Sequence, residues 1–358
     1  MKYLTEDKTK PTILEKRREE KRSPSDACRV LQWFCQDCSN VVLDSIEKAD
    51  LIINDPKYET IFVSISGGSD SDDVLDLCTK LDIHHKCIYC FFDTGLEYQA
   101  TKDHLKFLES KYHIEIIREK PVKPIPVSCR EFGQPFISKN VSEHMRRLQK
   151  HNFQWEDEDY ETLAKKYPNC LSALKWWCNS KYGQKPSQFN ISQNQYLKEF
   201  IISNPPTFRI SNKCCQYAKK DIVHKAIEEW DADLNIYGVR KAEGGTRATA
   251  YKNCFDSRED YDNLRPIFWW NNDDKAGYED ALRIVHSDCY VKYGLLRTGC
   301  VGCPYARDLE GELAVIQQYE PKLYKAVMNV FGDSYEYTRK YREFAKEMRS
   351  KGIKPRRN

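Results

Sequence analysis

The sequence predicts an α/β fold: a doubly wound, mostly parallel sheet with an inserted helical subdomain and helical termini. Two observations carry this. Short β-branched runs alternate with helix-period segments over residues 59–119, and the same alternation returns over residues 207–308. Strand, helix, strand, helix in series implies parallel strands joined by right-handed crossovers. Between the two stretches, residues 120–206 lose the pattern: they carry Pro121, Pro124, Pro126 and Pro135, then helical segments with Trp155, Trp176 and Trp177. This reads as a helical insertion or an active-site cover.

Taken in order, residues 1–23 are dominated by Lys, Arg and Glu and read as a charged arm. Val30, Leu31, Phe34, Val41, Val42 and Ile46 recur at helical spacing, so residues 1–58 close with one or two amphipathic helices, capped by Ser23 or Ser25. Thr60–Ser66 is a buried strand. Val74, Leu75, Leu77 and Leu81 mark the helix after it. Cys87–Phe92 is a second strand, Gln99–Tyr112 a helix and Ile114–Arg118 a third strand. Later come a helix from Cys215 to Trp230, the strand Leu234–Gly238, and a further short strand over Leu264–Trp269. Residues 309–358 form C-terminal helices ending in the basic run from Lys351 to Arg357.

Hydrophobic residues make up 40% and charged residues 31% of the 358, enough for a buried core. The net charge of +3 is too small to imply a nucleic-acid or membrane partner by itself. No stretch approaches the ~18–20 apolar residues of a membrane span, and the N-terminus lacks the apolar core of a secretory signal. The expected location is the cytoplasm. There, fifteen cysteines are buried small residues or metal ligands rather than a disulfide framework. Cys78 and Cys129 stand alone and read as core. Cys35 and Cys38 also read as structural, and Cys87 and Cys90 point to opposite faces of a strand.

Ser66-Gly67-Gly68-Ser69-Asp70-Ser71 lies between a buried strand and a helix. Glycines let backbone N–H groups approach an anion, and the helix start adds unpaired donors and positive potential. The loop therefore reads as a phosphate site. It lacks the Gly-Lys-Ser/Thr ending of a Walker loop and the third glycine of a dinucleotide fingerprint. Asp70, with Asp72 or Asp73, suits phosphates only if Mg²⁺ bridges them; the other reading makes Asp72 and Asp73 first-turn helix acids. The tandem pair Cys214-Cys215 and the Cys300-Val301-Gly302-Cys303 knuckle supply four thiolates, suited to Zn²⁺ or to an iron–sulfur cluster. Cys289 is an extra candidate ligand that could replace one of the tandem pair.

Ser-Gly-Gly-x-Asp-Ser after the first strand resembles the pyrophosphate loop of the adenine nucleotide α-hydrolase-like superfamily. Phe92-Asp93-Thr94-Gly95-Leu96-Glu97, with Thr101, resembles the second-strand motif of its phosphoadenosine phosphosulfate (PAPS) reductase family. The likeness covers about Ile61–Arg118 and Lys213–Ala306. It implies a nucleotide at the carboxyl ends of the strands, held by Ser64, the residues Ser66 to Ser71, Asp93, Thr94, Gly95 and Gly238. Gly238-Val239-Arg240-Lys241, continuing to Arg247, resembles the family's Gly-x-Arg-Arg…Thr-Arg-Ala segment. Arg240, Lys241 and Arg247 would then contact phosphate or sulfate. The cysteine arrangement is similar to that of the family's iron–sulfur branch, which implies a [4Fe-4S] cluster on Cys214, Cys215, Cys300 and Cys303, with Lys219 close by.

The sequence departs from a reductase in one respect. The family's nucleophilic cysteine lies in a C-terminal segment, and no cysteine follows Cys303 here. The favoured expectation is therefore an enzyme that binds ATP with Mg²⁺ and cleaves or adenylates at the α-phosphate, with Asp70, Asp93, Lys219 and Arg240 as catalytic residues. Its setting would be sulfur transfer or modification, with a sulfur donor or acceptor protein or a nucleic-acid target as partner, and a homo-oligomer as one form. The alternatives are a reductase of APS or PAPS using Cys289 or a partner's thiol, and a nucleotide or redox sensor without turnover.

Overall fold

A computed structural model of the chain describes residues 23–182, 185–187, 189–244 and 250–355. The central sheet has six strands. They are β1 (Ile61–Ile65), β2 (Cys87–Phe92), β3 (Ile116–Glu119), β6 (Leu234–Tyr237), β7 (Phe255–Asp256) and β8 (Asp262–Leu264), in the order β3-β2-β1-β6-β8-β7. Two further short strands, β4 (Lys181–Tyr182) and β5 (Lys185–Pro186), form a separate antiparallel pair. β1 pairs in parallel with β2 and with β6, and β6 in parallel with β8; β7 runs antiparallel to β8. The chain proceeds outward from β1 to β3, then returns to the other side of β1 with β6. Strand order therefore reverses between β1 and β6, which is where open α/β sheets open a crevice at their carboxyl ends. The loops that leave β1 and β6 there begin at Ser66 and Gly238.

The residues fall into two compact units. The first draws on Met1–Phe91, Leu105–Ile117 and Ile227–His286. Its core is the inner face of the sheet, with Ile61, Val63, Leu234 and Ile236 fully buried, covered by Val74, Leu77, Ile46 and Trp270. The helices Asp26–Phe34 and Asn40–Ile53 supply Leu31, Val42 and Ile53 to it. Ser25 and Ser39 cap them, each hydroxyl accepting a backbone N–H three residues on, from Cys28 and Val42.

The second unit draws on Phe92–His104, Arg118–Ala226 and Ser287–Asn358. It has two apolar clusters. One gathers Phe136, Leu148, Trp176, Trp177, Phe200 and Tyr337; the other gathers Leu96, Ile125, Val301, Leu313 and Phe331 around the paired cysteines. The insertion is helical as expected, and the tail forms the helices Leu309–Tyr319 and Pro321–Ser350.

Three elements differ from the periodicity reading. The third strand lies at Ile116–Glu119, two residues later at its start. The segment expected as a strand over Leu264–Trp269 leaves the sheet after Leu264: Pro266 has no N–H to give a ladder, and the amides of Phe268 and Trp270 turn back to the carbonyls of Arg265 and Ile267. The helix expected from Cys215 to Trp230 is in fact Lys213–Cys215, a π-type turn over Gln216–Lys220, then Asp221–Glu229. A wide turn of this kind re-aims the side chains beside it, here those of the tandem cysteines and Lys219.

Candidate functional site

Within the first unit, the loop after β1 is self-braced. Gly67 has φ +66°, a left-handed conformation glycine adopts without strain. Gly68 is extended and starts the helix Ser69–Leu81 with no side-chain cap. The Ser71 hydroxyl oxygen accepts the Ser66 N–H at 2.9 Å, and the Ser66 hydroxyl oxygen accepts the Gly68 N–H at 3.3 Å. Each hydroxyl keeps its own proton to donate to an anion. Gly238, just past β6, abuts this loop: a Cβ there would stand 2.7 Å from the Asp70 carbonyl oxygen. Ser64 lies within β1, its hydroxyl bonded to the Asn235 amide oxygen on β6 at 3.2 Å.

The acidic loop residue is neutralised by side chains. Asp70 Oδ1 takes Arg240 Nε at 2.9 Å and Lys275 Nζ at 2.9 Å. Burial would raise the Asp70 carboxyl, but Lys275 and Arg240 outweigh it and hold it below the ordinary range. Arg240 also donates to the Asn271 carbonyl and Asn272 Oδ1, at the start of the helix Asn272–Leu282. Lys241 is exposed, with its ammonium 4.9 Å from the Trp269 ring. Arg247 lies outside the described residues.

Beneath the loop the network continues. Lys275 Nζ lies 2.7 Å from Asp73 Oδ2 and 3.0 Å from Glu279 Oε1, and His286 bridges Asp72 at 2.8 Å and Glu279 at 2.7 Å. Burial drives the Asp73 carboxyl up to about 8 despite Lys275. Burial would lower His286, yet its bonds to Asp72 and Glu279 raise it to about 9. Asp73, Glu279 and His286 each bring a ligand atom within 4.8 Å of the others. The ammonium of Lys275 already bonds two of those carboxylates, so the cluster's cation is a side chain. Sequence reasoning missed Lys275, Glu279 and His286. They lie some 200 residues beyond the loop they support, and no local pattern marks them.

Within the second unit, Asp93, Thr94 and Gly95 form a turn. Asp93 Oδ1 accepts the Gly95 N–H at 2.8 Å, and Gly95 has φ +82°. The Thr94 hydroxyl donates to Glu97 Oε1 at 2.5 Å. Burial raises the Glu97 carboxyl to about 7, opposed by Lys219. The Lys219 ammonium is raised by Cys300 first and by Glu97 and Cys215 after it, although burial opposes this. Glu97 stands inside the motif that suggested the nucleotide site, so the signal for it was present without a role.

The four paired cysteines interact with one another. Cys214 is raised chiefly by its contact with Cys129, Cys215 chiefly by its contact with Cys214, and Cys300 and Cys303 chiefly by burial, Cys303 to about 12. Cys303 also feels Cys300 and Cys215, and Cys300 feels Cys215. The knuckle is fixed by its backbone: Gly302 has φ +61°, its carbonyl accepts the Tyr335 hydroxyl, and the Val301 N–H bonds the Leu96 carbonyl at 3.0 Å. Cys289 is fully buried, with its sulfur 3.6 Å from the Thr101 hydroxyl. Cys129, read from sequence as a lone core residue, is the thiol beside Cys214.

Residues 149–306 match the model of the phosphoadenosine phosphosulfate reductase domain family. That match takes in the segment from Lys213 to Ala306 and starts beyond the phosphate loop. Two curated relatives are uncharacterized proteins of Methanocaldococcus jannaschii. MJ0066 is 25% identical over 82% of this chain and 47% of its own length, and MJ0973 is 23% identical over 80% and 53%. The chain thus spans about half the length of the curated relatives it matches. Among solved structures, a phosphoadenylyl-sulfate reductase from Candida auris is similar, with 12% identity, a TM-score of 0.39, and 81% of this chain and 96% of that one covered. A U34-tRNA thiolase from Methanococcus maripaludis, solved with its [4Fe-4S] cluster, gives 11% identity, a TM-score of 0.35, and 85% and 79% coverage. Among the described residues, no helix is long and apolar enough to cross a membrane.

Proposed function

We propose that this chain is a PAPS reductase-like enzyme that binds ATP with Mg²⁺ at Ser66–Ser71 and promotes attack on the α-phosphorus, releasing pyrophosphate. The observation that carries the reading is the self-braced loop at the reversal of strand order, with Gly238 close against it and Arg240 beside it. An acceptor oxygen would form the new bond to the α-phosphorus as the bond to pyrophosphate breaks. Backbone donors of the loop, the protons of Ser66 and Ser71, and Arg240, Lys241 and Arg247 would stabilise the charge that develops on the leaving phosphates. Mg²⁺ would ride on the phosphates and share the charge that develops there.

Cys214, Cys215, Cys300 and Cys303 would hold an iron–sulfur cluster. The donor set fits it: each of the four thiols is within electrostatic reach of at least one other. A tandem pair with a distant CxxC resembles the family's iron–sulfur branch more than the two CxxC knuckles of a zinc ribbon. When bound, such a cluster can carry sulfur or electrons. Lys219, near Cys300 and Glu97, would offset the negative charge of its thiolates. A sulfur-transfer or modification pathway, with a protein or nucleic acid as acceptor, fits this combination.

The test is anaerobic purification with an iron count and absorbance spectrum, followed by a pyrophosphate-release assay with a mixture of acceptors. Iron at about four per chain together with ATP-dependent pyrophosphate release supports the proposal. A colourless zinc protein would remove the cluster, and absence of both ATP binding and turnover would remove the enzyme. Sulfite release from APS or PAPS would point to the reductase instead.

A further inference from the structure

We infer that Lys275 is a built-in cation of the phosphate loop, a positioning residue that neutralises Asp70 and so lets the loop accept a nucleotide polyphosphate without a metal ion on Asp70. The inference rests on the nucleotide reading above and adds a residue that no motif supplies.

An aspartate at a phosphate site repels its ligand unless a cation stands between them. In the sequence the candidate for that cation was Mg²⁺. In the structure two side chains occupy the carboxylate: Arg240 and Lys275 both bond Asp70 Oδ1, each at 2.9 Å. At Asp70 itself, two cations meet one carboxylate. Lys275 has two other partners, Asp73 and Glu279. Burial pushes the Asp73 carboxyl up, against the pull of Lys275. Glu279 is shared with His286, which also bonds Asp72, so those two carboxylates have a cation besides Lys275. Lys275 cannot drift, because it lies in the first turn of the helix Asn272–Leu282. There Asn271 and Asp274 form a reciprocal cap, and Arg240 bonds the Asn271 carbonyl. Both cations on Asp70 are therefore anchored to the start of one helix.

The test is calorimetric titration with ATP, in EDTA and again with excess Mg²⁺. The wild-type protein should bind ATP in EDTA, and Lys275→Met should weaken that binding by on the order of tenfold or more, since one charge close to the phosphates is lost. Lys275→Arg should restore most of it. Asp70→Asn gives a check of opposite sign: it should tighten metal-free binding, whereas a magnesium-ligand role for Asp70 predicts weaker binding of Mg-ATP. Lys57→Met, which removes an ion pair to Asp262 outside this network, serves as a control, with ATP affinity held within about twofold. Wild-type affinity in a folded Lys275→Met, or weakened binding in Asp70→Asn, overturns the inference while leaving the nucleotide site standing. Should the wild-type protein bind no ATP under either condition, the nucleotide reading falls and takes this inference with it.

Discussion

Gly238→Ala probes the junction of β6 with the phosphate loop. The added Cβ would stand 2.7 Å from the Asp70 carbonyl oxygen, 2.9 Å from its carbon and 3.2 Å from the Ser71 nitrogen. All three are backbone atoms, so no side chain can swing aside. Ordinary contact begins at 3.4 Å, and the loop must retreat by about 0.7 Å or the strand end must bend. The loop moves as a body, because Ser71 is tied to Ser66. Overpacking of this kind costs about 1–3 kcal/mol, read as a lower denaturation midpoint. The larger effect falls on ligand binding: a displacement approaching 1 Å in a preorganised site costs up to roughly a hundredfold. ATP titration of the folded variant should therefore show much weaker binding, at a loss of stability that leaves it native at room temperature. An unchanged midpoint with full ATP affinity would refute the steric argument and the placement of the nucleotide against this loop.

Other perturbations read other parts of the site. His286 is raised from 6.5 unfolded to about 9 folded, so its contribution is complete below about pH 6.5 and lost as pH rises through 9. Thermal melts should fall across that window, by at most about 3 kcal/mol of stability, and His286→Gln should flatten the slope. Replacing Cys214, Cys215, Cys300 or Cys303 singly by Ala should lower bound iron in anaerobically purified protein, while Cys289→Ser, whose sulfur lies against Thr101, should keep it; retained iron in all four would redirect attention to Cys129. Tyr335→Phe leaves the Gly302 carbonyl without its buried donor, which should cost about 1–3 kcal/mol and, in iron-loaded protein, speed iron loss to a chelator.

The sequence by itself determined the alternation of strands and helices, the helical insertion and tail, and the loop Ser66–Ser71, because each is written in consecutive residues. A strand shows its β-branched run, a helix its period, and a phosphate loop its glycines. The end of β8 was misread because Pro266 sits within an apolar stretch whose amides find partners only in a local turn. The charge logic of the site was not legible at all. From Asp70 alone Mg²⁺ was the candidate cation; folding brings the side chains of Arg240 and Lys275 onto that carboxylate, and Glu279 and His286 beneath it. In the same way Cys129 looked like an isolated core residue until the helix Ile125–Phe132 packed against Lys213–Cys215. Periodicity reports which face of an element is buried. Only tertiary structure decides which distant side chain meets a buried charge or thiol there, because that pairing is set by how the elements pack and leaves no trace in local spacing.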